Sequence, residues 1–210
     1  MPASADDARI PRLTARGAAT RRRIVDAAAK LIYAQGVGGT SLDDVMDASG
    51  TGRSQLYHYF ADKDALVAEV ITTQVSTLLE AQSHLLGQIG SLRGLKRWRD
   101  AEVVDTRTRH GAYGCPIGSL ASELADRSES ARTVLAACFE TWESYLAAGL
   151  ERMRAAGVLA SEADPASLAS AVMAALQGGL LLAQTTRDPH RLELALDMAL
   201  HHVASFAATG

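Results

Sequence analysis

From Thr20 onward the apolar residues of this chain recur at three- and four-residue spacings, and no run alternates with period two. That rhythm is one face of a 3.6-residue helix and not the pleat of a strand. It constrains the fold to the all-α class. Ile24, Ala27, Ala28, Leu31 and Ile32 mark a first helix from about Thr20, and Gly36 ends it at the usual glycine position. Thr40-Ser41-Leu42-Asp43 reads as a capping box, a hydroxyl at the N-cap and a carboxylate at N3. The helix it opens has an apolar face of Leu42, Val45 and Met46 and stops at Ser49-Gly50. A third short helix spans about Arg53 to Tyr59, with Leu56 and Phe60 turned inward. Asp62 then caps a long helix carrying Leu66, Val67, Val70, Ile71, Leu78 and Leu79.

The later pattern is of the same kind. A glycine-containing stretch over 87–114 holds one helix around Leu92 to Thr106, and 117–126 is helical again. A long helix follows from about Glu129 to Ala156, with Val134, Leu135, Cys138, Trp142, Tyr145, Leu146 and Leu150 on its apolar side. Asp164-Pro165 and Asp188-Pro189 each pair an N-cap carboxylate with a proline at N1, which starts two more helices. About nine helices and no internal repeat are expected. Apolar residues make up 48% of the chain and aromatics only 5%, an aliphatic, alanine-rich balance that suits helices.

Two short helices joined by a glycine-containing turn, with a helix on either side, have the layout of a helix-turn-helix. The charge is distributed to match. Residues 1–63 carry nine Lys/Arg against seven Asp/Glu, or +2; the remainder carries twelve against seventeen, or −5, and the two sum to the net −3. A basic head on an acidic body is what a nucleic-acid partner for the head would favour. Residues 1–15, with two prolines and no apolar rhythm, are expected to be a flexible basic arm. Arg21, Arg22 and Arg23 fall in the first turn of a helix begun near Thr20, where the dipole disfavours cations, so phosphate or simple solvation would have to compensate them.

The stretch from Thr20 to Leu66 resembles the TetR family of transcriptional regulators. The residues that carry the likeness are Thr20-Arg21, Ile24, Ala27-Ala28, Leu31-Ile32, Gly36, Thr40-Ser41-Leu42, Val45, Ala48 and Gly50. It continues through Leu56-Tyr57-His58-Tyr59-Phe60 to Lys63 and Leu66. The likeness implies a DNA-binding domain over 16–62 and an effector-binding and dimerisation domain over 63–210. It further implies a homodimer on a palindromic operator of double-stranded DNA, acting as a repressor released by a small, largely apolar effector. Arg53 and Gln55 suit base readout, because Arg can bridge guanine O6 and N7 and Gln can bridge adenine N6 and N7. Ser54 shares their outward face. By the same likeness Thr40, Tyr57, His58 and Lys63 would position phosphates. Tyr57 could equally be a packed surface aromatic, and His58 and Lys63 solvated residues. Thr51-Gly52 departs from the family's usual aliphatic-Ser pair, which removes a side-chain cap from the turn.

In the second domain the segment from His110 to Leu124 looks like one found in a branch of these regulators. Pocket candidates are Trp98, Tyr113, Phe139, Trp142, Tyr145, Met173 and Gln177, since pockets are mostly apolar with a few placed polar groups. Each could instead be plain core. Dimer contacts are expected from the helices over about 165–185 and 189–206, where Ala174, Ala175, Gly178 and Gly179 would permit close approach, unless they pack within their own subunit.

A competing class is an all-α ligand-binding enzyme or carrier with an incidental helix-turn-helix; a ligand-blind architectural DNA protein is a third. No P-loop, GxSxG, HExxH or dinucleotide fingerprint is present, so an enzyme, a cofactor and a metal site are not expected. The N-terminal stretch has no apolar secretory core, and the apolar run over 169–183 is shorter than a membrane span needs. A soluble cytoplasmic protein is expected. Cys115 and Cys138 form no CxxC pair and read as separate buried thiols. Cys115 is the better redox candidate, because Pro116 opens a helix there and a helix N-terminus lowers a thiol's pKa.

Overall fold

Thr14 accepts a hydrogen bond from the Gly17 amide and so opens the first helix five residues before the apolar rhythm begins. The structure, a computed structural model, describes residues 14–208. The expected arm therefore lies outside the described residues, apart from Thr14 and Ala15. Among the described residues there are nine helices: α1 Ala15–Gln35, α2 Leu42–Ser49, α3 Arg53–Tyr59, α4 Lys63–Leu86, α5 Leu92–Thr108, α6 Pro116–Leu124, α7 Glu129–Ala155, α8 Pro165–Thr186 and α9 His190–Ala204. The only extended pairing among them is an isolated bridge between Leu159 and Ala207, which ties the α7–α8 loop to the chain after α9.

The early start of α1 corrects the reading of Arg21 to Arg23. They lie in its second and third turns, and two of them are compensated within the chain. Arg21 pairs with Glu69 of α4 at 2.5 Å and stands over the Phe60 ring at 5.4 Å. Arg23 Nε donates to the Ser49 carbonyl at the end of α2, at 2.8 Å, filling one of the acceptors a helix leaves open there. The first turn was hidden because Arg16 and Gly17 carry no apolar signal. Ser41, not Thr40, is the N-cap of α2, and Asp44 completes its capping box one residue later than the sequence reading placed it.

Ile24, Val25 and Ala28 of α1, Val45 of α2, and Leu56 and Phe60 around α3 are buried together with Leu66 and Val67 of α4. α4 continues past this head and packs against α1, α5, α6 and α7. α8 is the central helix of the body, lying against α7 and α9. It has 22 residues, and an 18-residue window within it has a mean hydropathy of 1.7, so it is long and apolar enough by length and composition to cross a membrane, contrary to the shorter span read from the sequence. Here that apolarity goes into the core: Leu168, Val172, Met173, Leu176, Leu180 and Ala183 are all buried.

Gly179 settles one expectation. A Cβ there would lie 2.9 Å from Leu192 Cδ1 and 3.0 Å from Leu192 Cα, so its lack of a side chain lets α9 approach within the same subunit. Gly178 has open space around it. Between α5 and α6 the chain turns at Gly111, whose φ of +71° is costly for other residues and whose Cβ would meet the Ala183 carbonyl at 2.7 Å. That turn seats the α5–α6 loop on α8.

Candidate functional site

α3 is only seven residues long, and its position depends on two anchors. Leu56 is fully buried and Phe60 is 3% exposed. With these pointing inward, Arg53, Ser54, Gln55, Tyr57 and His58 all stand in solvent on the outward face. Gly52 precedes α3 without a side-chain cap, which leaves the first amides of the helix without a side-chain acceptor. Thr51, the other atypical residue, is buried and pairs with Ser49 through their hydroxyls at 2.6 Å. Arg53 reaches Asp43 of α2 at 3.1 Å, both side chains being largely exposed. Such a pair is weak in water and can be exchanged for another acceptor.

Lys63 is the first residue of α4 and half-exposed, beside the N-cap Asp62, whose carboxylate already accepts from the Ala65 amide at 2.8 Å. Thr40 is placed differently from the phosphate contact expected of it. It is 2% exposed and its hydroxyl donates to the Gly36 carbonyl at 2.8 Å, so it closes the α1–α2 turn.

The pocket candidates of the body separate in the same way. Phe139 and Gln177 share the wall of a 550 Å³ cavity between α6, α7 and α8, together with Cys115, Ser119, Glu123, Leu181 and Gln184. Trp98, Trp142 and Met173 are core residues at 2–3% exposure and are not on that wall. The Trp98 indole donates to Gln82 Oε1 at 3.1 Å, and Gln82 Nε2 in turn donates to Glu102 at 2.9 Å, a polar chain committed to packing α4 on α5. Tyr145 is half-buried on α7 against the core. Tyr113 is exposed and stacks on Tyr33 of α1, ring centroids 5.2 Å apart.

Cys115 caps α6, as its sequence position suggested, but the expected fall in thiol pKa does not follow. The side chain is buried, and desolvation pushes the thiol up more than the Gly118 and Ile117 amides pull it down. Burial pushes Cys138 up to about 11. Neither thiol is free to ionise near neutrality, so the redox reading loses its basis.

Glu123 was not singled out as a site residue. Its carboxylate accepts from the Val37 amide at 2.8 Å and from the Gly38 amide at 2.7 Å. It thereby joins α6 of the body to the turn between α1 and α2. Arg109 makes a parallel link, donating to Tyr33 Oη at 3.1 Å and to the Gly114 carbonyl at 3.2 Å. Sequence spacing carries no signal for contacts between residues 76 to 86 positions apart.

The body also presents an apolar face to solvent. Leu181 and Leu182 of α8 and Leu194 and Met198 of α9 are 48–76% exposed, flanked by Ala174 and Gly178.

Comparison with known proteins decides what this arrangement is. Residues 24–70 match the family profile described as "Bacterial regulatory proteins, tetR family", and residues 93–198 match "Transcriptional regulator LmrA/YxaF-like, C-terminal domain". An uncharacterised helix-turn-helix transcriptional regulator of Lactococcus lactis is 35% identical over 184 residues, covering 85% of this chain and 90% of its own. The chain belongs to the TetR family of transcriptional regulators. The regulator LmrA of Bacillus subtilis is 26% identical over 171 residues, 80% of this chain and 88% of its own. Among solved structures, a TetR regulator from Chloroflexus aurantiacus superposes with a TM-score of 0.82 at 22% identity, covering 94% of this chain and all of that one. As a TetR-family member the protein is a DNA-binding helix-turn-helix regulator of transcription, and its fold is that of its relatives.

Proposed function

We propose that the protein is a repressor that binds a palindromic operator as a homodimer and is released by a small-molecule effector. The carrying observation is the outward face of α3. Leu56 and Phe60 fix it to the core, and Arg53, Ser54, Gln55, Tyr57 and His58 are left in solvent on a helix short enough to enter a major groove. In this reading Arg53 leaves Asp43 to bond a base edge, Gln55 reads beside it, and Tyr57, His58 and Lys63 hold phosphates. Thr40 contributes by holding the turn and not by direct contact.

The DNA-binding domain is taken as residues 16–62 and the effector and dimer domain as 63–210. The exposed Leu181, Leu182, Leu194 and Met198 support a two-fold contact of α8 and α9 with a second copy, because isolated monomers seldom leave such a face open. Two heads would then read successive major grooves about 34 Å apart. The effector site is the cavity walled by Phe139 and Gln177. Its apolar lining favours a largely apolar effector, and α4 carries the response toward Lys63. The same reading makes the protein non-enzymatic and cytoplasmic, where the operator is.

Gel-shift assays with the DNA upstream of its own gene test this. A shifted complex that resists competition by unrelated DNA is expected. Binding indifferent to sequence, or no binding at all, would overturn the reading of a repressor on its own operator.

A further inference from the structure

Two hollows meet at one carboxylate. The 550 Å³ cavity between α6, α7 and α8 and a 230 Å³ hollow between α1, α4 and α6 share Ser119, Glu123 and Gln184 as a common wall. Among the described residues lining either space, Glu123 is the one carboxylate, and no Asp, Lys, Arg or His joins it. The larger space is otherwise mainly apolar, with Phe139 and Leu181 beside the hydroxyls of Ser119 and Ser122 and the neutral amides of Gln177 and Gln184, whereas the smaller one also carries Tyr33 and Gln74. Glu123 is half-buried, and its carboxylate accepts from the pair of amides at Val37 and Gly38.

We infer that the 550 Å³ cavity takes a small molecule with an apolar body and a cationic, hydrogen-bond-donating end, and that this end engages Glu123. The inference rests on the effector reading above and adds the ligand's chemical class and the first contact that carries its signal. Each oxygen of Glu123 accepts one amide and keeps further acceptor capacity. A cation bound there draws the carboxylate's charge toward itself and weakens its hold on the α1–α2 turn. That turn is also closed by Thr40 on the Gly36 carbonyl and by Gln35 on the Gly39 carbonyl, and it leads directly into the Ser41 cap of α2. Loosening it frees α2, whose Asp43 pairs with Arg53 of α3.

Decylammonium, decanol and decanoate serve as probes, sharing one apolar tail and differing in the head group. Backbone amide spectra of the full-length protein are recorded with each, and operator affinity is measured alongside. Decylammonium is expected to shift the Val37 and Gly38 resonances, raise their exchange rates about tenfold, and weaken operator binding at least about fivefold, within the usual range of allosteric coupling. Decanol is expected to bind more weakly and decanoate not detectably. In Glu123→Gln the decylammonium response disappears, whereas Glu123→Asp retains part of it.

Equal responses to all three probes, or none at Val37 and Gly38, overturn the inference from wild-type spectra alone, even if a variant fails to fold. A decylammonium response that survives in a folded Glu123→Gln overturns it as well. Operator binding without ligand is read separately: its absence defeats the regulatory reading, while its presence with an unresponsive Glu123 defeats only the assignment of cationic ligands.

Discussion

The head, α1 to α3, turns its candidate residues other than Thr40 outward, while the body, α4 to α9, takes three of its seven pocket candidates, Trp98, Trp142 and Met173, into the core. Each follows from the number of packing partners a helix has. α3 is held by Leu56 and Phe60 with the half-buried Tyr59 beside them, so its remaining positions meet solvent, where they can be offered to DNA. α5, α7 and α8 are pressed by neighbours on several sides, and large apolar residues such as Trp98 and Trp142 are worth more as packing than as a pocket wall. Residue type therefore indicates a role in the head and is ambiguous in the body.

The largest test of this contrast removes the anchor. Leu56→Ala leaves a hole at a fully buried site and is expected to cost about 2–5 kcal/mol of stability, read as a lower denaturation midpoint together with lost operator binding. A small change would mean that α3 is held by something other than that anchor. In the body the matching test adds volume. Gly179→Val drives side-chain atoms into Leu192 and Ala195 and is expected to cost about 1–3 kcal/mol by overpacking. If it instead abolished dimerisation at unchanged monomer stability, Gly179 would belong to the subunit contact.

Arg53→Ala separates function from stability. Its ion pair with Asp43 is exposed, so the melting temperature should hardly move, while specific operator affinity should fall about tenfold if the guanidinium bridges a guanine. A subtler effect belongs to Glu102, whose carboxyl is held above its ordinary pKa by burial, against the opposing hydrogen bond from Gln82. Folding then favours the protonated acid. Its contribution is complete below the unfolded value and is lost as pH rises through the raised folded one. Glu102→Gln keeps an acceptor for Gln82 and removes the titration, so its stability relative to wild type should climb as pH rises from about 4. A constant difference across pH would place the Glu102 carboxyl in contact with water.

These regions also differ in how far they could be read before the structure was known. Helix order and most boundaries followed from local chemistry: Gly36, Ser49-Gly50 and Asp164-Pro165 act on adjacent residues, and the helices stop and start where they stand, whereas at Asp188-Pro189 the N-cap is Pro189, not the expected Asp188, and α9 begins at His190. The exposed set on α3 followed from the same short-range periodicity. Thr14 was missed because a helix can begin on polar residues, and the Thr40 hydroxyl because its partner is a backbone carbonyl. In the body the legible part ended at the apolar stripe. A stripe predicts burial, but whether Phe139 faces a cavity and Trp142 does not depends on how α6 and α8 sit beside α7. Cys115 shows the same limit, since a helix start was readable and the burial that outweighs it was not.

The most direct measurement selects DNA from a random pool with the full-length protein and sequences what is retained. The account predicts a two-fold symmetric site whose half-sites lie about one helical turn apart, with Arg53→Ala relaxing preference at the same position in both halves. Retention without an enriched sequence, or an enriched site whose preferences Arg53→Ala and Gln55→Ala leave unchanged, would contradict the assignment of α3 as the reading helix.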